Sequence, residues 1–146
     1  MSRLYFAYGS NMKRSRLEGR VGVVIDHGTA TLSDYNIVFN KLSIDKSGKT
    51  NIAPEEQQNV FGVLYEMSDE QLKMLDESEK GYVRVPMIVD VGGKPTEVQT
   101  YVAMEERISN DLLPTSEYLS YLIDGAVEHN FPKEYQTFLR SIKVCN

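Results

Sequence analysis

The sequence predicts an α+β fold, and three features of its order carry that expectation. The middle of the chain is a succession of β-branched and aromatic segments broken by glycines, the end holds two segments with helical periodicity, and strands precede helices instead of alternating with them. Alternation would have suggested a doubly wound parallel sheet. With 146 residues the chain suits one domain, residues 1–146, large enough to bury a core and too small to divide in two.

Residues 3–8 are rich in Leu, Tyr and Phe and suit a buried strand that Gly9 ends. Asn11 then reads as the N-cap of a short helix reaching Glu18 and stopped by Gly19. Residues 21–31 and 34–40 read as two strands joined at Ser33 and Asp34, and 41–50 (KLSIDKSGKT) as a polar, mobile loop. NVFGVLYEM, 59–67, is a strand in which Gly62 marks a bulge or a close backbone approach. Ser68 with Gln71 forms a capping box for a helix from about Asp69 to Glu77 that turns Leu72 and Leu75 inward. Strands at 82–91 and 97–103 flank Gly92 and Gly93, a hairpin turn, so the centre of the chain is mostly antiparallel sheet. Beyond Pro114, Thr115 and Ser116, the residues Leu119, Leu122, Ile123 and Ala126 share one helical face. After Pro132, Tyr135, Phe138, Leu139 and Ile142 share another.

Composition excludes several functions. Sixteen basic residues against 21 acidic ones give a net charge of −5, which argues against nucleic acid or an anionic membrane as partner. Lys13, Arg14, Arg16 and Arg20 cluster around Leu17 and Glu18 at spacings that suit a solvated helix face. Cys145 is the only cysteine, so no disulfide framework forms, and His27 and His129 stand far apart without ligand spacing, so no metal site is expected. The N-terminus lacks a secretory apolar region and no apolar run approaches a membrane span, which points to a soluble protein of the reducing cytoplasm.

Two features could carry chemistry. Where the first strand breaks into Gly9, Ser10 and Asn11, the backbone N–H groups of the following turn lack partners and could face an anion or a developing oxyanion. An ordinary strand–turn–helix connection would use the same residues. In LDESEKGY, residues 75–82, Asp76, Glu77 and Glu79 crowd the C-terminal end of a helix, where the macrodipole disfavours negative charge. Dipole and like-charge neighbours both raise a carboxylate pKa, as a general base near neutrality requires, with Lys80 offsetting part of the effect. A solvated acidic corner is the plain alternative. No GxSxG, P-loop or GxGxxG occurs, and Ser10 has no evident base beside it.

Five blocks occur in order: YFAYGSNM, VFGVLYEM, LDESEKGY, PTSEYL and GAVEHNFPKEY. Together, from about Leu4 to Ile142, they resemble the γ-glutamylcyclotransferase family (γ-glutamylcyclotransferase-like, AIG2-like proteins), marked by a YGSN turn and a glutamate in an LDxxE segment. The resemblance implies a mixed, mostly antiparallel, barrel-like sheet with flanking helices. It carries the substrate-binding turn onto Tyr8, Gly9, Ser10 and Asn11, with Tyr5 lining the pocket, and the catalytic glutamate onto Glu79 and not Glu77. Pocket tyrosines map onto Tyr118 and Tyr82, although ESEKGYVRV is shorter than the family's usual loop at that point, which bears on acceptor-side specificity.

The implied reaction releases pyroglutamate (5-oxoproline) from a small γ-glutamyl substrate by attack of its own α-amino group, so no cofactor is implied. The family includes dimers, which makes a homodimer an expectation. A γ-glutamylamine cyclotransferase, an enzyme trimming γ-glutamyl groups from a biosynthetic intermediate, and a non-catalytic binding domain of the same fold are the neighbouring readings. The glutathione-specific branch usually carries YGSL where this chain has Asn11.

Overall fold

The computed structural model describes residues 2–145. Five strands close into a barrel in the order β1-β3-β2-β4-β5, with four α-helices on its flanks, an α+β architecture. β1 (Ser2–Ala7) pairs antiparallel with β3 (Gly48–Ser68) and parallel with β5 (Lys94–Ala103), and that parallel contact, Tyr5 against Gln99, closes the ring. β2 (Ile25–Leu42) pairs antiparallel with β3 and touches β4 (Tyr82–Val91) at Thr31–Asp90, so the sheet is mixed but mostly antiparallel. Tyr5, Phe6, Ala7, Val63 and Tyr65 lie in the buried core. The β4–β5 hairpin turns on Gly92 and Gly93, both at positive φ, as the twist of a tight hairpin demands.

The two strands expected at 21–31 and 34–40 form one long strand that begins only at Ile25, Val21 being helical and 22–24 a connection. The interruption read at Ser33 and Asp34 survives as a bulge, where Asp34 has φ 64° and its Oδ1 accepts from the Gln57 N–H at 3.1 Å. The loop expected over 41–50 shrinks to a turn at residues 43–47. Lys41 and Leu42 pair with Lys49 and Gly48, and Asp45 ties the turn by accepting from the Ser47 N–H at 2.9 Å. Strand β3 accordingly starts at Gly48 and not at Asn59, because its polar first half pairs with β2 and buries Thr50 and Asn51. The close approach read at Gly62 is real: a Cβ there would lie 2.6 Å from both the Ala7 carbonyl oxygen and the Phe6 ring.

The helix after the first strand also differs. A 3-10 turn, Ser10–Met12, comes first, and α1 spans Arg14–Val21, running through Gly19 to end at Gly22, whose φ is +89°. Lys13 occupies its N-cap position, and the Arg14 N–H is satisfied by Glu128 at 2.8 Å, a cap supplied by a distant helix. Asn11 therefore caps nothing. Its side chain is turned to the cavity instead.

α2 (Asp69–Ser78) forms as expected. Ser68 Oγ accepts from the Gln71 N–H at 3.1 Å and Gln71 Oε1 accepts from the Ser68 N–H at 2.9 Å, while Leu72 and Leu75 are buried. Gln71 Nε2 also donates to Val21 O (3.1 Å) and Val23 O (2.8 Å), tying α2 to the end of α1. α3 (Ser116–Glu128) is capped by Thr115, and α4 (Lys133–Arg140) follows Pro132, leaving Ile142 beyond its end. No described helix is long and apolar enough to cross a membrane.

Candidate active site

A cavity of about 340 Å³ opens at the mouth of the barrel, lined on one side by Tyr5, Tyr8 and the Gly9–Asn11 turn and on the other by Glu79 and Tyr82. The turn is held there by close packing. A Cβ on Gly9 would overlap the Thr50 hydroxyl and lie 3.3 Å from Tyr118 Oη, so only glycine lets β3 and α3 close on this backbone. Within the 3-10 turn, Met12 and Lys13 donate to Gly9 O and Ser10 O at 3.1 and 3.3 Å, which leaves the Ser10 and Asn11 N–H groups without intrahelical acceptors.

Glu79 is delivered from the opposite side by α2. It is the residue that ends the helix, its N–H donating to Leu75 O at 2.9 Å, and two residues later Gly81 (φ +86°) turns the chain into β4. Asn11 Nδ2 donates to Glu79 Oε1 at 2.9 Å and to Tyr5 Oη at 3.1 Å, and Arg20 Nη1 lies 3.9 Å from the same carboxylate oxygen. Both neighbours fall on Oε1, and Glu79 lines the cavity. The Glu79 side chain is only 16% exposed.

Burial pushes the Glu79 carboxyl above its ordinary range, while Arg20, the Asn11 amide, Lys41 and Arg16 pull it back. Burial, rather than the helix dipole and acidic neighbours expected from the sequence, is thus the leading cause. The other two carboxylates of that corner go elsewhere. Asp76 accepts from Arg84 Nε at 2.9 Å and from Tyr101 Oη at 2.6 Å, and Glu77 faces solvent.

The tyrosines named from the sequence surround the same cavity. Tyr118 Oη accepts from the Thr50 N–H at 3.1 Å and sits 2.8 Å from Thr50 Oγ1; Tyr82 Oη donates to Thr50 O at 2.7 Å; Tyr8 Oη donates to Tyr101 O at 2.6 Å. Burial raises all three phenol pKa values, so each remains a neutral donor or acceptor. Ser10 is buried beside them, and neither histidine lines the cavity: His27 pairs with Glu66 at 2.9 Å and His129 with Asp26 at 2.6 Å.

Thr50, Arg16, Arg20, Lys41, Lys49 and Arg107 also line the cavity and were not expected there from the sequence. Arg16 and Arg20, read as a solvated face, lie one helical turn apart on the side of α1 that meets the cavity, while Lys13 and Arg14 make the surface pairs, with Asp124 (3.0 Å) and Glu18 (3.3 Å). The i, i+4 spacing was the available signal. Lys41, Lys49 and Thr50 lay within the presumed loop, and nothing local marked them.

Bovine (Bos taurus) γ-glutamylcyclotransferase is 29% identical over 96% of this chain and 78% of its own length, and the human (Homo sapiens) γ-glutamylcyclotransferase is 28% identical over the same shares. A solved structure of a γ-glutamyl cyclotransferase superposes with a TM-score of 0.91 at 28% identity, covering 100% of this chain and 90% of that one. A family model described as γ-glutamyl cyclotransferase, AIG2-like, matches residues 5–120, a span that holds the Gly9–Asn11 turn, Glu79 and Tyr118; the chain belongs to that family.

Proposed function

We propose that the protein is a γ-glutamylcyclotransferase that releases pyroglutamate from γ-glutamyl compounds, with Glu79 as general acid and base. The observation that carries this reading is the 2.9 Å bond from Asn11 Nδ2 to Glu79 Oε1, which holds a largely buried carboxylate at the cavity wall beside the Gly9–Asn11 turn. Family membership supports the same reaction class.

In the reaction the substrate's α-amino nitrogen attacks its own γ-carbonyl carbon. That carbon's bond to the leaving nitrogen then breaks, closing a five-membered lactam. The α-ammonium carries three protons and the lactam nitrogen keeps one, so two must pass to the leaving nitrogen. Glu79 carries them one at a time, taking the first from the α-ammonium before attack and returning it to the leaving nitrogen as the C–N bond breaks, then passing the second from the ring nitrogen to the departing amine, a relay worth roughly 10²–10⁴-fold. Its raised pKa suits both directions of transfer.

The nucleophile is the substrate's own, so the buried Ser10 needs no base. The Ser10 and Asn11 N–H groups are the donors for the carbonyl oxygen as it becomes an oxyanion, each worth about 3–4 kcal/mol in comparable sites. The aromatic wall of Tyr5, Tyr8, Tyr82 and Tyr118 holds the glutamyl chain folded, and such positioning is worth up to about 7–11 kcal/mol in well-oriented systems. Pyroglutamate release from a panel of γ-glutamyl compounds, with wild type and Glu79→Gln, tests the reading. Equal rates would remove Glu79 as the base, and no release from any compound with wild type would end the proposal.

A further inference from the structure

The five tyrosines that line the cavity do not all have a proton to offer it. Tyr8 Oη donates to Tyr101 O at 2.6 Å, Tyr82 Oη to Thr50 O at 2.7 Å and Tyr101 Oη to Asp76 Oδ1 at 2.6 Å. Three phenol protons are therefore spent on the protein itself. Those of Tyr5 and Tyr118 remain. Tyr5 stands on the Glu79 side, accepting from Asn11 Nδ2, whereas Tyr118 stands against the turn, its Oη 3.3 Å from where a Cβ on Gly9 would lie.

Thr50 decides where the Tyr118 proton goes. The β2–β3 pairing shifts register between Val38–Asn51 and Lys41–Lys49, which leaves Thr50 without a partner in the ladder and its backbone groups free for side chains. Its C=O takes the Tyr82 proton, and its N–H donates to Tyr118 Oη at 3.1 Å. A phenol oxygen has one proton and two lone pairs, so this bond fills the first lone pair.

Thr50 Oγ1 lies 2.8 Å from the same phenol oxygen, and among the described residues it has no other partner. The residue is 3% exposed. Were Tyr118 to donate to Thr50, the threonine proton would be buried without an acceptor. With Thr50 donating instead, the second lone pair is filled and the phenol proton is left for the cavity. A phenol that accepts two bonds is also a stronger donor, and both Thr50 bonds oppose the rise that burial imposes on the Tyr118 pKa. The close approach of Gly9 leaves the Thr50 hydroxyl no room to swing away.

Resting on the cyclotransferase reading, we propose that Thr50 is a positioning residue: its N–H and its hydroxyl both donate to Tyr118 Oη and so aim the phenol proton at the γ-carbonyl oxygen held by the Gly9–Asn11 turn. The bond strengthens as that oxygen becomes an oxyanion, so it acts on kcat more than on KM. Tyr8 and Tyr82, whose protons are spent, are walls and not donors.

A double-mutant cycle on pyroglutamate release from γ-glutamyl-L-alanine tests this. Tyr118→Phe should lower kcat by about 100-fold, the scale of one oxyanion donor, and Thr50→Val by about 3–10-fold, the scale of one neutral hydrogen bond, with KM little changed. In the Tyr118→Phe background Thr50→Val should cost less than about 2-fold, because no phenol proton is left to aim. Thr50→Ser, which keeps the hydroxyl, should hold most of the wild-type kcat.

An equal loss from Thr50→Val in both backgrounds marks a structural role and overturns the proposal. So does an unchanged or raised kcat in Thr50→Val, which would mean that the phenol proton points at Thr50. Should Thr50→Val fail to fold, Thr50→Ser against Thr50→Ala in the same two backgrounds decides by the same rule. The ¹³C resonance of the Tyr118 ring carbon bearing the hydroxyl, assigned with Tyr118→Phe, separates this idea from the reaction. It should move in Thr50→Val and stay in Thr50→Ser. That result without wild-type turnover of any γ-glutamyl compound keeps the clamp and removes the cyclotransferase reading, and an unmoved resonance in Thr50→Val removes the clamp.

Discussion

Asn11 and Glu79, 68 positions apart in the chain, meet at 2.9 Å through Nδ2 and Oε1, joining the end of the first strand to the end of α2. The same Asn11 nitrogen reaches Tyr5 Oη at 3.1 Å, so one amide sets the carboxylate and the aromatic wall together.

Glu79→Gln should lower kcat for pyroglutamate release by roughly 10²–10⁴-fold, while Glu77→Gln, on the solvent side of α2, should stay near wild type. Steady-state assays of the two proteins check this. The reverse pattern would mean that the register of the LDESE segment is misread.

Asn11→Ala removes a bond to an ionised carboxylate, which at about 1.5–3 kcal/mol corresponds to roughly 10–100-fold in kcat. Because that bond lowers the Glu79 pKa, its loss should also move the acid limb of the pH–rate profile upward. A fall in rate with an unmoved acid limb would show that Asn11 acts on substrate alone.

The pH dependence has a definite sign. Burial raises the Glu79 pKa, so the base form is lost, and kcat/KM falls, at a pH above the ordinary glutamate value of about 4.3. Arg20→Gln, removing the cation 3.9 Å away, should shift that limb further up. For stability the same raised pKa means that Glu79 costs nothing below its unfolded pKa and becomes destabilising as pH rises through the folded one. The melting temperature of Glu79→Gln should therefore equal or exceed that of wild type at neutral pH, and a lower one would contradict the burial argument.

Tyr118→Phe keeps the ring and removes the oxygen that accepts the Thr50 N–H, leaving a buried donor unpaired at a cost of about 1–3 kcal/mol. Thermal unfolding should register a drop of roughly 3–10 °C. Gly9→Ala, which forces a methyl group onto Thr50 and Tyr118, should destabilise by about 1–3 kcal/mol and abolish turnover together. Wild-type activity in Gly9→Ala would show that the turn has room to move.

Local rules made some elements legible. The Ser68–Gln71 box, the Gly92–Gly93 hairpin and the close approach at Gly62 each depend on residues a few positions apart or on the lack of one Cβ. The N-terminus of α1 was misread because its first donor is satisfied by Glu128, 114 positions away, and no local pattern reports that. The polar first half of β3 was misread because its burial comes from strand pairing and from bonds such as Tyr118 to Thr50, not from apolar side chains.

By itself the sequence determined the order of strands and helices, the glycine-bearing turn and the glutamate at the end of a helix, since propensity, capping and spacing act over short distances. Which carboxylate of three belongs to the site was carried by the family resemblance and by no local rule, and only the tertiary structure decided why its pKa rises and which cations surround it. Desolvation and charge proximity depend on segments far apart in sequence, here α1, α2 and the β2–β3 ribbon, and barrel closure is what brings them to one mouth.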